Sequence, residues 1–258
     1  MLRKIAPKCR LTIALENGAL MPDDLPRCEI PADLIRFDRP LFHLARQLGA
    51  AEPINIVAIG SSSTAGEGTI VPYPGRLEKA LRLRFPGQTI NVINKGKGGE
   101  EAPEEFRRFD QDVIAQRPVF TIWQIGTNAI FHDGYDLDDV AAAIEAGLKR
   151  LGGSATDVVL MDPQYAPAIL VPGKIAGTER MVKLIDELAK KAGVNVFRRF
   201  ALMRHWNKDS NIPIEQMINQ DDGQHLHQSE WCTNCIVRAL DVLIADAVAR
   251  AYPIIADR

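Results

Sequence analysis

The chain has 258 residues, of which 46% are hydrophobic and 25% charged, and its formal net charge at pH 7 is −2. This composition is close to the globular average and argues against a disordered, collagen-like or disulfide-scaffold protein. The near-neutral charge provides no field that would attract nucleic acid, and the longest apolar runs fall far short of the ~20 residues that cross a bilayer. We therefore expect a folded protein with no nucleic-acid partner and no membrane span.

The N-terminal fifth of the chain is interrupted by prolines, which break each helical pattern until an apolar stretch at residues 41–48. The prolines are Pro7, Pro22, Pro26, Pro31 and Pro40. The sequence predicts that residues 1–52 form an irregular extension packed on a domain of residues 53–258.

From residue 54 onward, apolar strand-like runs alternate with segments of helical period. The predicted strands are residues 54–59, 89–93, 120–125, 157–161 and 194–197. This alternation is typical of a parallel sheet covered by helices, so we predict an α/β fold, a three-layer α/β/α sandwich with a five-stranded, mainly parallel sheet. In such folds ligands bind at the carboxyl ends of the strands.

Chemically useful residues follow several of the predicted strands. A hydroxyl-rich turn at 61–64 follows the first strand, glycines follow the second, Asn128 follows the third, and Asp222 and His225 precede the last helix. Each feature alone is equally well explained as a helix cap, a turn or a surface residue. Because all four segments reach one edge of one sheet, we interpret them together as a site.

These four segments resemble the SGNH or GDSL-type hydrolases, whose serine, glycine, asparagine and histidine occur in separated sequence blocks. The resemblance covers about residues 54–250 and implies a flavodoxin-like arrangement of the sheet. The matching residues are, in block order, Gly60, Ser62 and Thr64, then Asn94, Gly96 and Gly99, then Gly126 and Asn128, then Asp222 and His225.

The resemblance implies a role for each of these residues in acyl transfer. Ser62 is the implied nucleophile, His225 the base that takes its proton, and Asp222 the carboxylate that orients the imidazole. The backbone amides of Ser62 and Gly99 and the side chain of Asn128 are the implied donors to the oxyanion. This chemistry requires neither a metal nor another cofactor.

Two residues depart from the family pattern. Ser61 replaces an aspartate in the first block, and Ala129 replaces an aspartate after Asn128 in the third. Neither change removes a reacting atom. The side-chain bonds that brace these blocks in the family cannot be assumed here.

The substrate is expected to be a small-molecule or saccharide ester, with a small, acetyl-like acyl group on a polar or carbohydrate carrier. The proline-rich segment 162–167 leaves the sheet at its ligand edge, and it is either a pocket wall carrying Tyr165 or a rigid connector. The alternatives are a lysophospholipase or thioesterase of the same fold, and a catalytically silent carbohydrate-binding or scaffold module. The oligomeric state stays open.

Four cysteines lie near the two ends of the chain, at Cys9, Cys28, Cys232 and Cys235. They are either buried thiols or disulfides that join the N-terminal segment to the last helix, with Cys28 paired to Cys235 and Cys9 to Cys232 as a second pair. Disulfides favour a periplasmic or secreted protein with a cleaved leader. Without them, a cytoplasmic location is expected.

A zinc-stabilised module is a further alternative. His227, together with His225, Cys232 and Cys235, supplies four potential ligands within eleven residues. A closed zinc site would consume His225, so it excludes the catalytic interpretation.

Overall fold

A computed structural model describes residues 28–50 and 52–256 of the chain. Its centre is a five-stranded sheet in which all paired strands are parallel, with the strand order β2-β1-β3-β4-β5. The strands are β1 (Ile54–Gly60), β2 (Ile90–Gly96), β3 (Phe120–Gln124), β4 (Asp157–Met161) and β5 (Asn195–Phe197). The predicted α/β sandwich and its five strands are confirmed.

The strands form where apolar and β-branched residues run together, because a sheet with helices on both faces buries both sides of each strand. Every residue of the central strand β3 is buried, and β1 is buried at all but one position. The edge strand β2 is only partly buried. The strand order reverses between β1 and β3, and the crevice beyond that point is where this fold class binds ligands.

The helices alternate with the strands along the chain. In the described residues they are α1 (Ala32–Ile35), α2 (Phe42–Leu48), α3 (Ser62–Ala65), α4 (Tyr73–Arg84), α5 (Ala102–Arg107), α6 (Phe109–Asp112), α7 (Asn128–Phe131), α8 (Leu137–Gly152), α9 (Pro167–Leu170), α10 (Ile175–Ala192), α11 (Arg199–Lys208), α12 (Ile214–Met217) and α13 (Glu230–Ala256), with a 3-10 turn at Ile114–Gln116.

The long helices bury one apolar stripe each. Helix α13 packs against α2 and α4, whereas α8 packs against α5 and α10. Residues at helical spacing, such as Val140 and Ile144 on α8 or Leu240 and Ile244 on α13, are completely buried. The stripes seen in the sequence are therefore the surfaces that cover the sheet.

Residues 39–44 of the N-terminal segment lie against the amino ends of β4 and β5, opposite the carboxyl edge. The backbone N–H of Leu44 donates to the Asp157 carboxylate over 2.9 Å, and Arg39 exchanges two hydrogen bonds with the Asn195 side chain over 2.8 and 3.0 Å. Leu41 is fully buried and its N–H donates to the carbonyl of Ala247 on α13. Hydrogen bonds and apolar burial together hold this segment on the domain.

A disulfide joins Cys28 to Cys235 on α13, as the sequence analysis expected. Cys9, the partner proposed for Cys232, lies outside the described residues. Cys232 is a buried free thiol, and burial raises its pKa to about 12. Since the Cys235 sulfur is bonded to Cys28, the four-ligand zinc site suggested by the sequence is not formed.

Among residues 28–50 and 52–256, no helix has both the length and the apolar character that a membrane crossing requires.

Candidate active site

The first feature at the carboxyl edge is a tight turn after β1, where Ser62 becomes the first residue of α3. The backbone N–H groups of Thr64 and Ala65 donate to the Ser61 carbonyl, which winds the turn. A Cβ at Gly96, on the neighbouring strand, would lie 2.1 Å from the backbone nitrogen of Ala65. Only glycine allows the turn to sit this close to β2.

The Ser62 hydroxyl contacts an imidazole, and that imidazole belongs to His227. The Nε2 of His227 lies 2.9 Å from Ser62 Oγ, and its Nδ1 lies 3.0 Å from Asp222 Oδ2. The serine is 8% exposed and the histidine 7%, so bulk water has little access to the contact. Hydroxyl, imidazole and carboxylate form one hydrogen-bonded chain.

The Asp222 carboxylate is held by the loop that carries His227. Its Oδ2 accepts the backbone N–H groups of Leu226 and His227 over 2.8 and 2.7 Å, and its Oδ1 accepts that of Gln224 over 3.0 Å. Burial by itself would raise the pKa of Asp222, but these three N–H donors and the nearby imidazole lower it. The carboxylate is therefore charged at neutral pH and faces Nδ1.

The family resemblance implies His225 as the base, but the structure does not bring that residue to Ser62. His225 is exposed, and its backbone adopts a left-handed conformation with φ of 52°. It closes a turn in which its N–H donates to the Asp222 carbonyl over 2.9 Å. The turn directs the N–H groups that follow toward the Asp222 carboxylate and leaves the His225 ring outside, so the histidine beside Ser62 is His227.

The signal for His227 in the sequence is weak. His225 lies in the polar run Asp-Asp-Gly-Gln-His, which is typical of an exposed turn, whereas His227 directly follows Leu226, which is buried. An Asp-x-x-His motif matches the family spacing, and that match favoured His225, which the structure leaves exposed. The deciding fact is the left-handed conformation of His225 itself, which local sequence does not specify.

The side chain of Asn128 also lies at this edge, at the start of α7, and is 3% exposed. One N–H of its Nδ2 donates to the Glu100 carbonyl over 2.8 Å. An amide nitrogen carries two hydrogens, which leaves the second for another acceptor.

Gly99 immediately precedes Glu100, in a turn of residues 97–100 after β2. It adopts φ of +79°, a conformation that favours glycine. A Cβ on the adjacent Gly98 would lie 3.9 Å from the Ser62 Cβ, so this turn lies directly beside the serine.

Where Ser61 replaces the family's aspartate, a buried glutamine from β3 braces the turn. Gln124 Oε1 accepts from the backbone N–H of Ser61, from the Ser61 hydroxyl and from the Thr64 hydroxyl, over 3.0, 3.1 and 3.1 Å. Gln124 is 1% exposed. The missing carboxylate is therefore replaced by an amide oxygen from a neighbouring strand.

Where Ala129 replaces the second aspartate, the buried carboxylate of Glu101 braces the asparagine loop. It accepts the N–H groups of Gly126 and Ala129 over 2.7 and 2.9 Å. These two residues lie on either side of Asn128 in the sequence. It also accepts the N–H of Ala102 over 2.9 Å. Burial raises the pKa of Glu101, and the N–H donors oppose that shift.

A small cleft opens beside Ser62 and His227. Its volume is about 20 Å³, and its other walls are Ser63, Gly66, Glu67, Ile70, Pro72, Gln228 and Thr233. A volume of this size accepts little more than one water molecule or one methyl group.

Tyr165, the expected pocket wall, does not line this cleft. Its ring packs edge-on against Phe200, with ring centroids 5.3 Å apart. Together with Leu170 and Val171 it borders a separate surface groove of about 560 Å³. The structure therefore places Tyr165 on the wall of this groove and not of the cleft beside Ser62, and its role in an acyl or alcohol pocket stays a prediction.

The protein is thus a parallel α/β sandwich in which hydrogen bonds link a serine, a histidine and an aspartate at the carboxyl edge of the sheet. This combination is typical of hydrolases. The chain belongs to the Non-GDSL lipase-like family, whose model matches residues 27–250. The expectation of an esterase or lipase family is thereby confirmed at the broad level. The family's description as non-GDSL agrees with the absence of the aspartate at Ser61.

Individual relatives are more distant. An acetylxylan esterase from Geobacillus stearothermophilus is 26% identical over 125 residues, which cover 43% of this chain and 57% of that protein. The match thus spans little more than half of the relative's length.

Solved structures share the fold over a longer range. An acetyl xylan esterase from Geobacillus stearothermophilus superposes with a TM-score of 0.63 and 20% identity, covering 76% of this chain and 97% of that chain. An alpha/beta hydrolase enzyme from the metagenome of Lake Arreo, Spain, superposes with a TM-score of 0.62 and 18% identity, covering 78% of this chain and 98% of that chain. Catalytic mutants of the Geobacillus esterase replace a serine, an aspartate or a histidine by alanine.

Proposed function

We propose that this protein is a serine ester hydrolase that works through an acyl-enzyme, with Ser62 as nucleophile, His227 as base and Asp222 as its orienting carboxylate. The observation that carries the proposal is the pair of hydrogen bonds at 2.9 and 3.0 Å that link the three side chains through the imidazole. In this scheme the chemistry is of the SGNH type, although the first block lacks its aspartate.

The first step forms a bond between Ser62 Oγ and the ester carbonyl carbon. The hydroxyl proton moves to His227 Nε2, and the carbonyl electron pair moves onto oxygen. Asp222 receives the Nδ1–H of His227, so the correct nitrogen faces the serine and the imidazolium is stabilised.

The oxyanion is stabilised by donors that the fold holds in place before the substrate arrives. The donors we propose are the second Nδ2–H of Asn128 and the backbone N–H groups of Ser62 and Gly99. Because Glu100 and Glu101 restrain Asn128, its amide needs little reorganisation when negative charge develops.

Collapse of the tetrahedral intermediate breaks the bond to the alcohol, and His227 Nε2 returns its proton to the leaving oxygen. A water molecule then attacks the acyl-enzyme, its proton passing to His227 and onward to Ser62 Oγ as the acid is released. The enzyme regains its starting protonation state.

The proposed substrate carries a small acyl group on a saccharide or another polar carrier. The cleft beside Ser62 is small, at about 20 Å³, which favours a short acyl group over the long chain of a lysophospholipid. The similarity to an acetylxylan esterase supports a carbohydrate carrier.

A non-catalytic binding module is the competing class of function. Such a module has no need for an imidazole between a serine hydroxyl and a charged carboxylate. The buried chain of three side chains, maintained at a cost in desolvation, supports the catalytic proposal.

Hydrolysis of p-nitrophenyl acetate tests the proposal. We expect turnover by the wild-type protein, a loss of roughly four or more orders of magnitude in Ser62→Ala, and a loss of about 10² to 10³ in Asn128→Ala. Trapping of an acyl-enzyme on Ser62 by mass spectrometry would be independent support. Undiminished turnover in a verified Ser62→Ala preparation would refute the nucleophile.

A series of p-nitrophenyl esters tests the acyl size. We expect kcat/KM to fall at least ~10-fold from acetate to butyrate. Acetylated xylo-oligosaccharides then test the carrier. A preference for octanoate or longer esters would contradict the small acyl group.

We also propose that the protein resides in an oxidising compartment, the periplasm or the exterior. The support is the disulfide between Cys28 and Cys235, since disulfides are rare in reducing compartments. Thiol counting under denaturing, non-reducing conditions checks the proposal. Four free thiols in protein recovered from its native compartment would contradict it.

A further inference from the structure

The proposed reaction also requires that three chain segments, which carry Ser62, Asn128 and His227, are placed accurately relative to one another. The buried side chain of Gln164 contacts all three. Gln164 follows β4 through Asp162 and Pro163, and only 1% of it is exposed. Its three partners are each one residue away from a member of the proposed machinery.

The oxygen of the Gln164 amide binds the first two segments. Oε1 accepts from the Ser63 hydroxyl over 3.3 Å and from the Thr127 hydroxyl over 3.2 Å. Ser63 directly follows the nucleophile Ser62, and Thr127 directly precedes Asn128.

The nitrogen of the same amide binds the third segment. Nε2 donates to the Leu226 carbonyl over 3.2 Å, and Leu226 directly precedes His227. Its carbonyl can only accept, whereas both hydroxyls can donate, so the partners determine which end of the amide faces which segment.

We propose that Gln164 is a positioning residue that sets the nucleophile turn, the asparagine loop and the histidine loop relative to one another. This inference rests on the proposed function. The Gln164 amide has an acceptor oxygen and a donor nitrogen at a fixed separation. It can therefore fix the spacing of three segments that come from distant parts of the chain. In the folded site, only glutamine or a close analogue satisfies all three partners.

Gln164→Glu is the sharpest test because it keeps the shape and the acceptor end. Burial raises the pKa of such a carboxyl, so the assay is run at a pH high enough to ionise it. The ionised carboxylate still accepts from Ser63 and Thr127 but has no N–H for Leu226, and its charge repels that carbonyl. We expect kcat on p-nitrophenyl acetate to fall at least ~10-fold while KM stays within about two-fold, because the loss concerns placement of His227 rather than substrate binding.

A double-mutant cycle separates positioning from general destabilisation. In a His227→Ala background, Gln164→Glu should change the residual rate by less than about two-fold, because the contact it loses is the one to Leu226, and the imidazole which that contact positions is gone. An equal fold-loss in both backgrounds would contradict the proposal.

Thr178→Val is the matched control for losing a buried hydrogen bond. Thr178 is fully buried, and its hydroxyl donates to the Ile169 carbonyl over 2.7 Å and to the Lys174 carbonyl over 3.1 Å, neither of which belongs to the three segments. We expect its kcat to stay within about two-fold of wild type.

If Gln164→Glu fails to fold, the pair Ser63→Ala and Thr127→Val removes both hydroxyl contacts and should lower kcat at least three-fold without changing KM.

A second readout separates this inference from the proposed function. The NMR resonance of the His227 Nδ1–H, hydrogen-bonded to Asp222, should shift or broaden in Gln164→Glu and stay unchanged in Thr178→Val. If wild type shows no Ser62-dependent hydrolysis but this resonance responds, the proposed function fails and the positioning role stands. If hydrolysis depends on Ser62 but Gln164→Glu alters neither kcat nor the resonance, the positioning role is wrong.

Discussion

At the scale of single residues, the two histidines of the loop after α12 differ in the direction that the backbone gives to their side chains. The left-handed conformation of His225 reverses the chain, so that its side chain is exposed while that of His227 is buried against Ser62. Asp222 stabilises this arrangement because its carboxylate accepts N–H groups from the same loop.

The pair of histidines provides a matched test. His227→Ala should lower kcat on p-nitrophenyl acetate by roughly four orders of magnitude, because Ser62 loses its proton acceptor, whereas His225→Ala should change kcat by less than about three-fold. Circular dichroism confirms that both variants fold. A large loss in His225→Ala with little loss in His227→Ala would reverse the assignment.

At the scale of elements, the junction of β4 with α11 contains a buried carboxyl and a buried guanidinium. Asp162 Oδ1 accepts the N–H of Phe200 in the first turn of α11 over 2.9 Å, and Arg199 Nε donates to the Asp162 carbonyl over 3.0 Å. Burial raises the pKa of Asp162 to about 7 and lowers that of Arg199 to about 10. This junction supports the segment that carries Gln164.

The raised pKa of Asp162 predicts a pH-dependent stability. The folded carboxyl holds its proton up to about pH 7, whereas the unfolded one loses it near 3.8, so its contribution is full below about pH 4 and declines as the pH rises to about 7. Relative to Asp162→Asn, the wild-type free energy of unfolding should fall across this window, by at most ~1.4 kcal/mol per pH unit. Denaturant titrations at several pH values measure the difference, and a constant difference would contradict the raised pKa.

At the scale of the whole molecule, the N-terminal segment is attached to α13 at two places, through the disulfide at Cys235 and through the hydrogen bond from the Leu41 N–H to the Ala247 carbonyl. Glu29, next to Cys28, accepts the Trp206 indole N–H through its carbonyl over 2.7 Å, and the disulfide joins positions 207 residues apart in the chain. A cross-link over so long a loop restricts the unfolded chain strongly.

Removal of the disulfide should therefore weaken the fold and spare the chemistry. We expect Cys28→Ser to lose about 2 to 4 kcal/mol in the free energy of unfolding, measured by denaturant titration without reductant. The kcat of the folded variant should stay within about two-fold of wild type, because the hydrogen bonds that hold Ser62, His227 and Asn128 do not involve Cys28. Cys232→Ala, which keeps the cross-link, is the control, and an equal loss of stability in both variants would contradict the role of the disulfide.

Much of this molecule follows from local sequence. The alternation of apolar runs with helical stripes predicts the parallel sheet, because strands covered on both faces need continuous apolar residues and helices need one apolar side. Ser62 and Asn128 could be located in the same way, since each lies in the turn that follows a strand, and the sheet brings the ends of its strands to one edge.

Only the tertiary structure decided which histidine meets Ser62 and what braces the site. His227 reaches Ser62 across 165 residues of sequence, through one left-handed residue and three N–H groups that surround a carboxylate. The turn and loops of the site are also braced by side chains from distant segments, namely Gln124, Glu101 and Gln164. Hydrogen bonds between remote segments depend on the relative placement of whole elements, and a local motif carries no information about that placement.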